Sequence, residues 1–134
     1  MGTTRFQSPW LRYLDQRELE QYARVSCDHN PIHLEPEQAL SAGYPDVICH
    51  GMLAMTDIGD WLTQVMAGWR MTDFSCRFPA PVPVRSRLRV SAIACVGDSP
   101  ESNGQQARVS FIAEDQNGAM KVKGQATFRK PEAR

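Results

Sequence analysis

The sequence predicts an α+β domain in which an antiparallel sheet wraps around one central helix. Two observations carry this. From Met52 to Met66, the apolar residues Met55, Ile58, Leu62, Val65 and Met66 recur at helical spacing, with Thr56 and Gly59 keeping other positions small. From Thr72 onward the period falls to two, and every later run presents one apolar face. A wide apolar helix followed by strands with one apolar face each is satisfied when the sheet covers the helix.

The elements follow in order. Residues Arg5 to Leu14 mix Phe6, Trp10, Leu11 and Tyr13 with polar residues around Pro9, which suits an edge strand or extended arm and not a central strand. Asp15 followed by Glu18 is a variant of the capping box, and Leu19, Tyr22 and Ala23 recur at helical spacing, so a helix is expected from about Gln16 to Val25. Pro36 to Gly43 reads as a short helix with proline in its first turn and Gly43 as its stop, followed by a turn at Tyr44-Pro45-Asp46. The long helix then begins beside Gly51 and is expected to be largely buried, with Met52, Met55 and Met66 as ordinary core residues.

In the strand region, Phe74, Cys76 and Phe78 alternate with Asp73, Ser75 and Arg77, and Leu88, Val90, Ala92, Ala94 and Val96 alternate with Arg87, Arg89 and Ser91. A polar connector is expected over Gly97–Gly104. Ala107, Val109, Phe111 and Ala113 then alternate with Arg108, Ser110 and Glu114, and Asn117-Gly118 signals a tight hairpin. The final run sets Met120, Val122, Gly124, Ala126 and Phe128 against Lys121, Lys123, Gln125 and Arg129. Three consecutive antiparallel strands result.

At 134 residues the chain is expected to form a single domain over 1–134, with enough length for a core without staples. Fifteen basic and fifteen acidic side chains give a formal charge of zero with no Lys/Arg run, which removes the footprint of a nucleic-acid binder. The first residues carry no apolar signal region, and no run approaches the roughly 20 apolar residues of a spanning helix, so a soluble, cytoplasmic protein with no membrane partner is expected. Four cysteines, Cys27, Cys49, Cys76 and Cys95, include no C-x-x-C pair and suggest neither zinc nor redox chemistry. Cys76 and Cys95 fall in strand runs and are expected to be small buried hydrophobes.

The chemistry concentrates in Ser26-Cys27-Asp28-His29-Asn30-Pro31-Ile32-His33. Pro31 lacks an N–H and steers Asn30 away from helical dihedrals, so Asp28 and His33 sit on a rigid bend that can aim both into one pocket. An Asp near a His can orient its ring, hold its tautomer and share a water with it, as acid–base chemistry near neutral pH requires. Such pairs are also common by chance, and a solvated loop with a structural histidine is the bland alternative.

The longer stretch Tyr22-Ala23-Arg24-Val25-Ser26-Cys27-Asp28-His29-Asn30-Pro31-Ile32-His33, then Ala39, then Ile48-Cys49-His50-Gly51-Met52-Leu53, closely resembles the signature of MaoC-like, R-specific enoyl-thioester hydratases and dehydratases. Arg77-Phe78-Pro79-Ala80-Pro81-Val82-Pro83-Val84 resembles the strand and turn after that family's central helix, and the resemblance runs from about Asp15 to the final strand. Two positions depart from it: Cys27 and Arg85 stand where glycine is usual. A non-glycine residue at positive φ is uncommon, so Cys27 is expected in ordinary dihedrals, filling space against the central helix.

The resemblance implies a hot-dog fold and reversible syn hydration of a trans-2-enoyl thioester, carried by coenzyme A or acyl carrier protein, to the R-3-hydroxyacyl thioester. It implies no metal, no organic cofactor, and a homodimer pairing its sheets edge to edge. Asp28 and His33 are then the catalytic dyad, with Gly51 N–H bonding the thioester oxygen. Asn30 is placed to orient Asp28 or fix the loop, and Thr56 resembles the family's small hydroxyl residue near the dyad. His50 is expected to pack or cap near the helix start, and His29 to point away. Three alternatives stand beside this reading. The chain could be an idle subunit of a hetero-oligomeric hot-dog dehydratase, an acyl thioesterase, or, with Cys27 as nucleophile, a cysteine-dependent thioester-cleaving enzyme. Asp28 beside Cys27 opposes the last, since a reactive thiolate needs electropositive surroundings.

Overall fold

The computed structural model of the chain describes residues 2–99 and 104–131. In chain order these form β1 (Gly2–Gln7), α1 (Gln16–Ser26), a 3₁₀ turn (Pro31–His33), α2 (Pro36–Ser41), α3 (Gly51–Val65), β2 (Arg70–Arg77), β3 (Leu88–Ser99), β4 (Gly104–Asp115) and β5 (Met120–Pro131). One five-stranded sheet runs in the order β1-β3-β4-β5-β2, and every neighbouring pair is antiparallel. The edge strand expected within Arg5 to Leu14 lies earlier, over Gly2–Gln7, and ends before Pro9. Among the described residues no helix is long and apolar enough to cross a membrane.

Parity along the strands builds the core. Leu88, Val90, Ala92 and Ala94 on β3, Ala107, Val109, Phe111 and Ala113 on β4, and Val122, Ala126 and Phe128 on β5 are all buried, as period-two alternation requires. They pack in one cluster with Leu53, Ala54, Ile58, Trp61 and Leu62 of α3, so the sheet covers the helix. Gly124 permits the tightest approach in this layer. A Cβ there would lie 2.3 Å from the Ser75 carbonyl oxygen and 2.7 Å from the Phe111 ring.

Several expectations need correction. A bulge between Ala113 and Glu114 pairs Glu114 with Met120 and Ala113 with Val122, which breaks the alternation and leaves Met120 42% exposed instead of in the core. Cys95 is exposed, because it lies one residue out of phase with buried Ala94, and Cys76 is only half-buried. Met52 is 59% exposed at the start of α3, whereas Met66 is buried. The hairpin expected at Asn117-Gly118, by contrast, is present over residues 116–119: the Asp115 carboxylate accepts hydrogen bonds from Asn117 N and Ala119 N, and Gly118 takes φ 81°. Of the expected polar connector, Gly97–Ser99 belongs to β3, and 100–103 lie outside the described residues.

The helix ends follow the capping chemistry. Asp15 accepts from Glu18 N at 3.0 Å at the start of α1, but the Glu18 carboxylate turns away to Arg12 at 2.9 Å, so only half of the capping box closes. Gly43, just past α2, takes φ 97°. Cys27 caps the C-terminal end of α1 in the left-handed region, φ 62° and ψ 21°, which overturns the ordinary dihedrals expected of it. The cause is the helix end, which closes most readily through a left-handed residue. Arg85 takes φ 64°. Both departures from the family's glycines therefore occupy the conformation that favours glycine.

Left-handed backbone costs an L-residue about 1–2 kcal/mol, whereas glycine adds about 0.5–1 kcal/mol of chain entropy to be lost on folding. Cys27→Gly is accordingly expected to leave stability unchanged or raise it by up to about 1 kcal/mol, read as the midpoint of urea unfolding. A clear loss of stability would show that the Cys27 side chain makes a contact worth more than its backbone strain.

Candidate active site

The bend after α1 is built from short side-chain-to-backbone bonds. Asp28 N donates to Ser26 Oγ at 3.2 Å, Asn30 N donates to the Asp28 carboxylate at 3.3 Å, and Ile32 N donates to Asn30 Oδ1 at 3.2 Å. Pro31 opens the 3₁₀ turn that these bonds initiate. Asn30 thus fixes the loop with its side chain and steadies Asp28 with its backbone. His29 is exposed.

The turn brings His33 inward until it is 8% exposed. Its Nδ1 lies 2.7 Å from the Ile48 carbonyl oxygen. A carbonyl can only accept, so Nδ1 carries the proton and Nε2 keeps its lone pair in the neutral ring. The tautomer is therefore set by a backbone carbonyl, a part the sequence reading gave to Asp28. The same backbone segment returns the contact, since Ile48 N donates to the Ile32 carbonyl at 3.0 Å. On its other side, Cys49 N donates to Val82 O at 2.7 Å and Val84 N to Val47 O at 3.1 Å. The histidine is anchored on a segment that is itself held from both sides.

One ligand-type side-chain atom from each of Asp28, His33 and His50 lies within 4.8 Å of the others. Two hydrogen bonds of about 2.8 Å converging on one oxygen at a tetrahedral angle span a gap of this order. The separation of Asp28 and His33 is thus of the order that one bridging water spans. Metal chelation fits the trio poorly. His33 and His50 stack at 3.9 Å with 24° between their planes, so their in-plane lone pairs run alongside each other instead of meeting at one point. His33 Nδ1 and His50 Nε2 are also both taken by carbonyl oxygens.

A cleft of about 520 Å³ opens beside Asp28, lined by Tyr22, Ser26, Asp28, Gly51, Met52, Met55 and Phe78. His33 is not among the lining residues, and one of its ring nitrogens lies within 4.8 Å of the Asp28 carboxylate. Gly51 is the first residue of α3, where an N–H has no carbonyl one turn earlier to bond and the helix dipole favours negative charge. The glycine also has a packing reason, because a Cβ at Gly51 would come 3.2 Å from the Phe78 ring. Thr56 is not among the lining residues, and its hydroxyl donates to Met52 O at 2.8 Å on an exposed stretch of the helix.

The structure therefore brings together Asp28, His33 and Gly51, uses Asn30 as the brace of the bend, and leaves Thr56 outside this chain's cleft. The sequence reading missed His50 as a member of the cluster and Met52 and Met55 as cleft walls. The signal for His50 was its position immediately before Gly51, at the start of the central helix. Cys49, the residue before it, is buried, and burial pushes its thiol up to about 12, far from a nucleophile's range. Cys27 is exposed and is not among the cleft's lining residues.

Comparison with known proteins identifies the family and the fold. A family model described as MaoC like domain matches residues 2–116. The 3-hydroxyacyl-thioester dehydratase Z of Mycobacterium tuberculosis is 32% identical over 120 residues, covering 84% of this chain and 78% of the relative. Among solved structures, the unliganded R-hydratase PhaJ1 of Pseudomonas aeruginosa superposes with a TM-score of 0.74 at 27% identity, covering 98% of this chain and 81% of that one. The (R)-hydratase of A. caviae involved in PHA biosynthesis gives 0.73 at 26% identity, covering 97% and 95%. The antiparallel sheet around α3 is the hot-dog fold of these neighbours. With more than half of its length matched by the family model and a relative at 32% identity, the chain belongs to the MaoC-like dehydratase family.

Proposed function

We propose that the chain catalyses the reversible hydration of trans-2-enoyl thioesters to R-3-hydroxyacyl thioesters, with Asp28 and His33 as the proton-handling dyad. The observation that carries this is the placement of the Asp28 carboxylate within 4.8 Å of a histidine whose Nδ1 is committed to the Ile48 carbonyl, beside the first N–H of α3. Water held between Asp28 and His33 loses a proton to the dyad as its oxygen attacks C3. The dyad returns a proton to C2 on the same face, so H and OH add syn and the dyad ends in its starting protonation state. Charge that develops on the thioester oxygen meets the Gly51 N–H at the helix terminus. The apolar walls Met52, Met55 and Phe78 suit an acyl chain, carried by coenzyme A or an acyl carrier protein.

A subunit that only pairs with a catalytic partner needs none of these groups assembled, and a thioesterase needs no proton delivery to C2. We assign residues 1–134 to one domain acting in a cytoplasmic setting without metal or organic cofactor, and pair it as a homodimer. Both edge strands, β1 and β2, leave one side of their hydrogen-bonding groups free of partners in the sheet. Phe78 of the cleft follows β2 directly, so pairing through β2 would bring a second chain close to the site.

Asp28→Asn and His33→Ala are each expected to lower enoyl-thioester hydration by about a hundredfold to ten-thousandfold with the fold retained. Crotonyl and longer enoyl thioesters, followed by loss of conjugated absorbance and by separation of hydroxyacyl product from free acid, give the readout. Either variant turning over at the normal rate would remove the dyad, and free acid as the main product would replace hydration by thioester hydrolysis.

Light scattering at several concentrations is expected to give a dimer. A fully active monomer would contradict the homodimer, and a folded but inactive monomer would point to a different hot-dog partner.

A further inference from the structure

His50 occupies the position before α3 that usually holds a capping side chain, yet its side chain makes no capping bond. Serine, threonine, aspartate or asparagine would serve that purpose better. The imidazole instead lies inside the protein, 1% exposed, between two rings. It stacks on His33 at 3.9 Å and meets the Tyr22 ring edge-on at 4.9 Å and 64°. Its Nε2 lies 3.1 Å from the backbone carbonyl oxygen of Asp28. That carbonyl can only accept, so Nε2 carries the proton and Nδ1 is left a buried acceptor without a partner among the described residues.

A ring placed only to fill space would be better as phenylalanine, which leaves no buried acceptor unpaired. The polar edge of His50 is used once, on the residue that carries the candidate carboxylate, and its face is used on the candidate histidine. Resting on the dyad reading above, we propose that His50 is a positioning residue that ties the Asp28 backbone and the His33 ring to the first turn of α3, and so fixes both relative to the Gly51 N–H. The three groups that act on water, C2 and the thioester oxygen come from two separate segments, and His50 touches both. Burial, the largest influence, lowers the proton affinity of His50, and nearby His33 lowers it further, against the opposing pull of the Asp28 carbonyl. A neutral ring then faces His33 when His33 takes up a proton, where a second imidazolium would repel it and a π face attracts it.

The test compares His50→Phe, which keeps a ring but no donor, with His50→Gln, whose amide can place an N–H near the position of Nε2. His50→Phe is expected to lower kcat by about tenfold to a hundredfold, the scale of a slightly misplaced reacting group, with KM for crotonyl thioester within about twofold. His50→Gln is expected to recover most of the loss. A purely structural role would not give a kcat loss at unchanged KM that an amide restores. Wild-type kcat in folded His50→Phe, or equal impairment in the two variants, overturns the proposal. If His50→Phe does not fold, a folded His50→Gln that has lost about tenfold or more in kcat overturns it instead, and near-normal kcat supports it. Asp28→Asn and His33→Ala assayed in parallel separate the two claims. Inactive dyad variants beside a normal His50→Phe reject only the role of His50, whereas active dyad variants reject the dyad and this inference with it.

Discussion

The hydrogen bond from His33 Nδ1 to the Ile48 carbonyl, 2.7 Å long, is the constraint on which the site depends. It buries a polar ring and ties its Nδ1 to a backbone carbonyl, so the tautomer follows from the main chain instead of from a mobile side chain. Ile48 N bonds back to Ile32 O, and residues 47–49 are bonded in turn to Val82 and Val84. The bend carrying Asp28, the segment leading into α3 and the loop after β2 therefore form one hydrogen-bonded layer. Losing the His33 contact would leave a buried carbonyl without its donor, a cost of about 1–3 kcal/mol, and would free Nδ1 to take either protonation state.

That layer holds Asp28 and His33 in place although both lie on the connection between α1 and α2. Pro31 and the Asn30 cap fix the entry to the bend, and Val47, Val82 and Val84 bury beneath it. Arg85, held in the left-handed region, donates its N–H to Leu14 O, and its guanidinium pairs with Asp46. Asp46 also accepts from Val47 N, and this bond, followed by the arginine, holds its carboxyl below the usual carboxylate range. The arginine that replaces a family glycine thus gains a partner beside the same layer, in a backbone conformation that glycine would adopt more easily.

Much of this was legible in the residues, because parity and helical spacing are local signals. Leu88 to Ala94 and Ala107 to Ala113 fall on the buried face as alternation demands, and Ile58 and Leu62 point α3 into the core. The misreadings occur where a nonlocal fact decides. Met120 leaves the core because of a bulge set by strand pairing. Met52 reads as core by composition, yet it stands at the mouth of a cleft defined by the α1 bend and by Phe78. Cys27 is the local exception, since its positive φ follows from its place at the C-terminal cap of α1. The spacing of Asp28 and His33 around Pro31 fits a solvated loop equally well, and only the longer motif around them singles the pair out; the partner of His33 is fifteen residues away, and the ring of His50 is assigned only by what surrounds it in space.

The tautomer of His33 is the most direct measure of this account, because the proposed chemistry needs a lone pair on Nε2 facing the water shared with Asp28. Nitrogen-15 NMR of histidine-labelled protein at neutral pH, with His33 assigned by comparison with His33→Ala, reports which ring nitrogen bears the proton. In the neutral ring, the proton is expected on Nδ1 with Nε2 bare. A neutral ring protonated on Nε2 would contradict it, since the Ile48 carbonyl would then lack its donor and His33 could not accept a proton from water.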